Sequence, residues 1–188
     1  QNKLKACNAL DFDDLIRLPV KIFDADEKIL EKYQNQYRYI LVDEYQDTNH
    51  AQYRLVNLLA QKNRNLCVIG DPDQSIYTWR GADFRNILNF EKDYPDAKVI
   101  MLEQNYRSTQ SILNAAHEII AKNIERKEKR LWTENPPGEV IEIIATRNEG
   151  DEAEAIIKKI IGLRGALKMS LDEMAIMYRT NAQSRVLE

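Results

Sequence analysis

Two adjacent carboxylates, Asp43 and Glu44, close the apolar run Tyr39-Ile40-Leu41-Val42. Apolar and β-branched residues leading into an acidic pair predict a buried parallel strand whose C-terminal end presents both carboxylates at the sheet edge, where open α/β folds place ligands. One carboxylate there can hold Mg²⁺ bound to a nucleotide, and its neighbour can orient and deprotonate the water that attacks a γ-phosphate. This is the Walker B arrangement. Its usual companion is a G-x-x-x-x-G-K-[ST] loop that cradles the phosphates, and none of the six glycines in the 188 residues is followed by Lys. The chain therefore carries half of an ATP site at most.

A second constellation begins where another apolar run, Leu66-Cys67-Val68-Ile69, ends. The stretch from Gly70 to Asp83 combines an amide able to sense a phosphate or water, Gln74, with Tyr77, Trp79 and Arg80. Two aromatics and an arginine are the mix that stacks single-stranded bases and grips their backbone. Coupling that platform to a phosphate sensor within six residues suits a translocating motor. A third cluster, Gln104-Asn105-Tyr106-Arg107-Ser108, precedes a helical pattern for which Ser108 is the expected N-cap. Read from residue types alone, the carboxylates also allow a metal-dependent phosphohydrolase built on Asp43, Glu44, Asp47 and Asp71. His50 and His117 have no partner at catalytic spacing, and Asp13 and Asp14 suit the first turn of a helix.

The elements that must position these groups follow from periodicity. Leu10 to Phe23 and Ala25 to Tyr37 are predicted helices, the first broken or bent near Pro19. The Tyr39 to Val42 strand, a helix over Ala51 to Lys62 and the Leu66 to Ile69 strand form a βαβ unit. A helix carrying Phe84, Ile87, Leu88 and Phe90 leads to a third strand, Lys98 to Leu102, and the alternation implies a parallel, doubly wound α/β sheet. A long helix bearing Ile112, Leu113, Ala116, Ile119 and Ile120 comes next. The charged stretch from Glu125 to Arg130 and Pro136-Pro137-Gly138 make a loop. Val140 to Ala145 is a fourth expected strand, Asp151 to Leu163 an amphipathic helix, Ser170-Leu171-Asp172-Glu173 a capping box and Ala175 to Tyr178 a fifth strand. Two strands are too few for a self-contained sheet in the second half.

Composition narrows the class. The 44% hydrophobic content supports an ordinary core, and a formal net charge of −3 gives no global basic signal, so nucleic-acid contact would be local. The basic residues of Lys122 to Arg130 read as a solvated helix end, with DNA phosphates as the alternative partner. Cys7 and Cys67 stand far apart without C-x-x-C spacing, which fits a reduced, cytoplasmic protein and argues against a disulfide framework or zinc site. No run of about 18 apolar residues is present, so no membrane association is expected. The polar start Gln1-Asn2-Lys3 lacks an initiator Met, as expected of a piece of something longer.

Asp43-Glu44-Tyr45-Gln46-Asp47, the Gly70 to Asp83 loop and Gln104-Asn105-Tyr106-Arg107-Ser108 resemble motifs II, III and IV of the superfamily 1 DNA helicases of the UvrD/Rep/PcrA family. Asp11-Phe12-Asp13-Asp14-Leu15-Ile16 and the segment from Tyr178 to Arg185 resemble further stretches of that family, most like its PcrA branch. The resemblance spans nearly the whole chain. It implies parts of two tandem RecA-like lobes, with residues 1–102 the later part of the first and residues 103–188 the opening part of the second. It implies Asp43 as Mg²⁺ ligand, Glu44 as the base and Gln74 as the link from γ-phosphate to DNA. Tyr77 and Trp79 would stack on bases, and Arg80 would tie their loop to its surroundings. Tyr106 would stack on adenine, Arg107 would be an arginine finger, and Arg179 and Asn181 would contact the single-stranded backbone. The implied cofactors are ATP and Mg²⁺. The implied partners are single-stranded DNA, duplex junctions and the remaining segments of the same helicase, in DNA repair and replication. The family's Walker A loop and its motifs V and VI have no match, so the chain alone is expected to be inactive. A non-enzymatic DNA- or partner-binding module is the alternative.

Overall fold

A computed structural model describes residues 2–124 and 126–188, and divides into two compact units, Gln1–Pro136 and Pro137–Glu188. Gln1 of the polar start and Glu125, the first residue of the charged stretch, lie outside the described residues.

In the first unit a short helix, α1 (Asn2–Ala6), precedes α2 (Phe12–Ala25) and α3 (Glu27–Gln36). Asp11 caps α2 by accepting the Asp14 N–H at 2.9 Å, and Asp14, itself buried, accepts from Arg17 Nη2 at 2.6 Å. Asp26 serves twice: its N–H ends α2 on the Ile22 carbonyl and its side chain starts α3 by accepting from the Lys28 and Ile29 N–H groups. Of the break or bend expected near Pro19, the break does not occur, and α2 runs through the proline. Proline removes one intrahelical hydrogen bond, and packing of α2 on α3 and on α4 (His50–Ala60) holds the helix through that gap. An Asn49–Gln52 capping box opens α4.

The sheet is β1 (Ile40–Val42) paired in parallel with β2 (Leu66–Val68), with Ile40 opposite Leu66 and Val42 opposite Val68. The helix expected around Phe84 to Phe90 is two short pieces, α5 (Arg85–Leu88) and α6 (Phe90–Asp93). The core forms around Tyr45, fully buried, whose ring meets Phe90 edge-on at 5.8 Å; Phe90 in turn stacks on Tyr94, and the Tyr94 hydroxyl donates to Asn57 Oδ1 at 2.6 Å. Burial pushes the Tyr45 phenol up, with Tyr53, Tyr94 and Asp93 adding to it. The next helix, α7 (Gln110–Ile120), buries Leu113, and its N-cap is Thr109 rather than Ser108.

The second unit contains α8 (Glu149–Leu167), capped by Asn148, and the Ser170 capping box, which closes a single 3₁₀ turn over Leu171–Glu173. A further 3₁₀ segment spans Asn181–Val186.

Three expected strands are absent among the described residues: 98–102, 140–145 and 175–178 have no ladder. A strand is defined by a hydrogen-bonded neighbour, not by composition alone. Ile100, Leu102, Val140, Ile143 and Met177 of these runs are exposed. The observed architecture is thus mixed helix and strand with a small parallel sheet. No described helix is long and apolar enough to cross a membrane.

Candidate functional site

The parallel pairing of β1 and β2 sets the loops that leave them side by side. The ladder continues past both strands, with Ile69 N–H donating to the Val42 carbonyl at 2.8 Å and Tyr45 N–H to the Ile69 carbonyl at 3.0 Å. Asp43 and Glu44 fall on this junction. Asp43 Oδ1 accepts the Glu44 N–H at 2.9 Å, and Glu44 adopts a left-handed backbone, φ 50°, that turns the chain into a 3₁₀ segment over Tyr45–Asp47. A non-glycine residue in that region is uncommon and clusters at functional sites.

That turn brings Gln46 back onto its neighbour. Gln46 is 1% exposed; its Nε2 donates to Glu44 Oε2 at 2.7 Å while its Oε1 accepts the Asp71 N–H at 3.0 Å. One buried amide thus tethers the Glu44 carboxylate to the loop after β2. Gly70 makes this close approach possible, since a Cβ there would collide with Gln46 Oε1 and lie 2.8 Å from Ile87 Cδ1. Residue spacing does not mark Gln46, and its place two residues after Glu44 is the one signal the sequence offers.

Asp71 continues the network. Its Oδ1 accepts the Asp73 N–H at 3.0 Å and its Oδ2 accepts from Gln74 Nε2 at 2.8 Å. Burial pushes the Asp71 carboxyl up, but hydrogen bonds from Lys129, Gln74 and the Asp73 N–H outweigh it, leaving it below the ordinary carboxylate range. Lys129 and Arg126 pair with Asp71 and Asp73, which corrects the expectation that the Lys122 to Arg130 stretch is a solvated helix end. The pairing partners lie far apart in the sequence, where a charge run alone cannot reveal them.

Beyond Gln74 the loop carries an exposed stack. Trp79 is 74% exposed, the Arg80 guanidinium lies 4.5 Å from its ring centroid and 5.2 Å from that of Tyr77, and the two rings are 6.5 Å apart. Gly81, at φ 85°, turns the chain after Arg80, and Asp83 N–H anchors the return by donating to the Thr48 carbonyl at 3.0 Å.

Tyr106 and Arg107 are exposed on a turn closed by Asn105, whose Oδ1 accepts the Arg107 and Ser108 N–H groups at 3.0 and 2.7 Å. Among the described residues no hydrogen bond or ion pair joins Arg107 to Asp43 or Glu44. In the second unit, Arg179 N–H donates to Gln183 Oε1 at 2.9 Å, Asn181 begins the last 3₁₀ segment, and both side chains lie in exposed residues.

The donor set suits one metal arrangement and not another. Mg²⁺ that arrives with a nucleotide needs one or two carboxylates beside water and phosphate oxygens, and exposed Asp43 next to Glu44 fits that need. A phosphohydrolase centre on Asp43, Glu44, Asp47 and Asp71 does not fit. Asp71 is engaged by Lys129 and Gln74, and among the described residues no three His, Cys, Asp or Glu side chains gather for a metal.

The site therefore defines an α/β protein with strand-end carboxylates wired to a polar loop that ends in a cation–aromatic stack. The family model for the UvrD/REP helicase N-terminal domain matches residues 1–95 and that for the UvrD-like helicase C-terminal domain matches residues 100–188, so the chain belongs to the UvrD/REP helicase family. It is similar over all 188 residues to the ATP-dependent DNA helicase PcrA of Staphylococcus epidermidis (strain RP62A), at 59% identity, and of Staphylococcus aureus (strain Mu50), at 60%. The chain spans 26% of the length of each of these relatives.

Proposed function

We propose that these residues form the central part of an ATP-dependent DNA helicase that moves along single-stranded DNA and unwinds duplex by ATP hydrolysis between two RecA-like lobes. The observation that carries this reading is the Gln46 tether, which joins the Glu44 carboxylate to the loop holding Gln74 and, a few residues on, the Tyr77–Trp79–Arg80 stack. A base, a phosphate sensor and a base-stacking platform share one continuous piece of chain. The relatives named PcrA, similar along the whole chain, support the same assignment.

In this reading Glu44 takes the proton of the attacking water, with Gln46 fixing the carboxylate that receives it. Asp43 would hold Mg²⁺, which when bound offsets charge on the phosphate oxygens. Gln74 contacts the γ-phosphate and Arg107 stabilises its developing charge, while Tyr106 stacks on adenine. Trp79 and Tyr77 stack on bases of the tracked strand, Arg80 braces them, and Arg179 and Asn181 hold the DNA backbone. Residues 1–102 and 103–188 belong to successive RecA-like lobes. The setting is cytoplasmic, on single-stranded DNA and duplex junctions.

The 188 residues hold no G-x-x-x-x-G-K-[ST] loop. Without its lysine and backbone N–H cradle, neither the bound phosphates nor the transition-state charge is adequately stabilised. The chain by itself is accordingly expected to show no appreciable ATPase, and a full-length helicase containing it to hydrolyse ATP in response to single-stranded DNA. Robust DNA-stimulated turnover by the 188 residues alone would overturn this division of the site.

A further inference from the structure

The segment after α7 is a strap between two parts of the site. At its start Arg126 Nη2 lies 3.2 Å from Asp73 Oδ2, and Lys129 pairs with Asp71 Oδ1 and, at 3.7 Å, with Asp73 Oδ2. The side chains are largely withdrawn from water, at 10% exposure for Arg126, 16% for Lys129, 22% for Asp71 and 7% for Asp73. Charges so placed are costly unless each is paired. Ordering long basic side chains also costs rotamer freedom. A solvated helix end requires neither.

Asp71 is the hub of this cluster, because one carboxylate oxygen meets Lys129 and the other accepts from the Gln74 amide at 2.8 Å. Further along, Trp132 N–H donates to the Glu103 carbonyl at 3.0 Å and the Trp132 carbonyl accepts from Asn105 N–H at 2.8 Å. Asn135 Nδ2 then donates to the carbonyls of Tyr106, at 3.3 Å, and Ser108, at 3.1 Å. Residues 126–135 are thus fixed at one end to the loop that carries Gln74 and at the other to the turn that carries Tyr106 and Arg107.

We infer that Lys129 and Arg126 are positioning residues: through Asp71 and Asp73 they hold the Gln74 amide in place and, through the strap, tie it to the Arg107 turn. The inference rests on the nucleotide reading above, in which Gln74 and Arg107 both face the γ-phosphate. Neither basic residue touches nucleotide in this scheme. Their effect passes through Asp71: without the ammonium, that carboxylate can turn from Gln74, and the amide loses its fixed acceptor. Arg126 anchors the same loop one contact away, so the strap does not rest on a single flexible lysine.

The test is steady-state ATP hydrolysis by the full-length helicase, with and without a saturating single-stranded oligonucleotide, for wild type, Lys129→Gln, Lys129→Arg, Asp71→Asn and the Asp71→Asn, Lys129→Gln double variant. Unfolding midpoints are measured alongside. Misplacing a reacting group by about 1 Å costs up to ~100-fold, so Lys129→Gln should lower DNA-stimulated kcat about 10- to 100-fold while KM for ATP stays within about threefold. Lys129→Arg should restore most of the loss, and Asp71→Asn should add little to Lys129→Gln because both cut the same link. A kcat within about twofold of wild type in Lys129→Gln would overturn the inference. So would a loss that Lys129→Arg leaves unrepaired, or one that vanishes when each variant is assayed well below its own unfolding midpoint. A wild type without DNA-stimulated hydrolysis would instead overturn the helicase reading, and the positioning role with it.

Discussion

Gln46→Met separates what Gln46 does for the fold from what it does for Glu44. Methionine fills a similar volume in a pocket where Gln46 is 1% exposed, but it can neither donate to Glu44 Oε2 nor accept from Asp71 N–H as the amide does at 2.7 and 3.0 Å. The Asp71 N–H then faces a thioether, and an orphaned buried donor costs about 1–3 kcal/mol. The lost bond to Glu44 adds little to stability, since Glu44 is exposed and water can replace the donor. The effect on turnover should be larger in proportion. Glu44 loses its tether to the Gln46 amide, and a misaligned base should lower kcat roughly 10- to 100-fold. Gln46→Glu sharpens the point: a second carboxylate within hydrogen-bonding distance of Glu44 shares its proton, so the acid limb of the rate profile moves to higher pH. The urea midpoint of the chain and the ATPase of the full-length protein read the two effects separately. A Gln46→Met enzyme with kcat within about twofold of wild type would refute the tether, whatever its stability.

Trp79→Ala should weaken single-strand affinity of the full-length helicase roughly 5- to 150-fold, from ~1–3 kcal/mol per stacked base at 1.4 kcal/mol per decade. With Trp79 already 74% exposed, only about 60 Å² of its surface is withdrawn from water, or about 1.5 kcal/mol as an upper bound on lost folding stability, against ~3–5 kcal/mol for a core tryptophan; a large drop in unfolding midpoint with unchanged DNA affinity would contradict the stacking role. The depressed Asp71 carboxyl gives a pH signature, because a group with a lower pKa in the folded chain contributes stability that is present above its unfolded value of ~3.9 and is lost as pH falls through the folded value. Asp71→Asn should therefore lower stability at neutral pH and flatten the acid limb of a denaturation series, and an unchanged profile would show that the Lys129 and Gln74 contacts do not hold in solution.

Much of the fold was legible where the signal is local. The apolar run before Asp43 and its counterpart before Gly70 announced two strands, and their parallel pairing followed from the intervening helix α4. The Ser170–Glu173 capping box was legible in the same way, whereas the expected cap at Ser108 falls one residue later, at Thr109. The runs at 98–102, 140–145 and 175–178 were misread as strands because composition marks a residue fit for a sheet but cannot supply the neighbouring strand. Of the site, the order of residue types from Asp43 to Arg107 carried the family resemblance. The Gln46 tether stayed hidden because it depends on a left-handed backbone at Glu44, which periodicity does not reveal. The Arg126 and Lys129 pairs stayed hidden because patterning rules treat clustered charges as solvent-facing, whereas here two carboxylates from a distant loop bury them.

The proposed hydrolysis depends on Glu44 as the base. Hydrolysis and nucleotide binding by the full-length helicase carrying Glu44→Gln, with single-stranded DNA at saturation, address it most directly. The amide keeps the shape of the side chain and can still pair with Gln46, but it cannot accept a proton. Turnover should therefore fall by about 10²- to 10⁴-fold, the usual contribution of a general base, while ATP affinity stays within a few-fold of wild type. Near-normal turnover in that variant would contradict the assignment of the strand-end carboxylate pair.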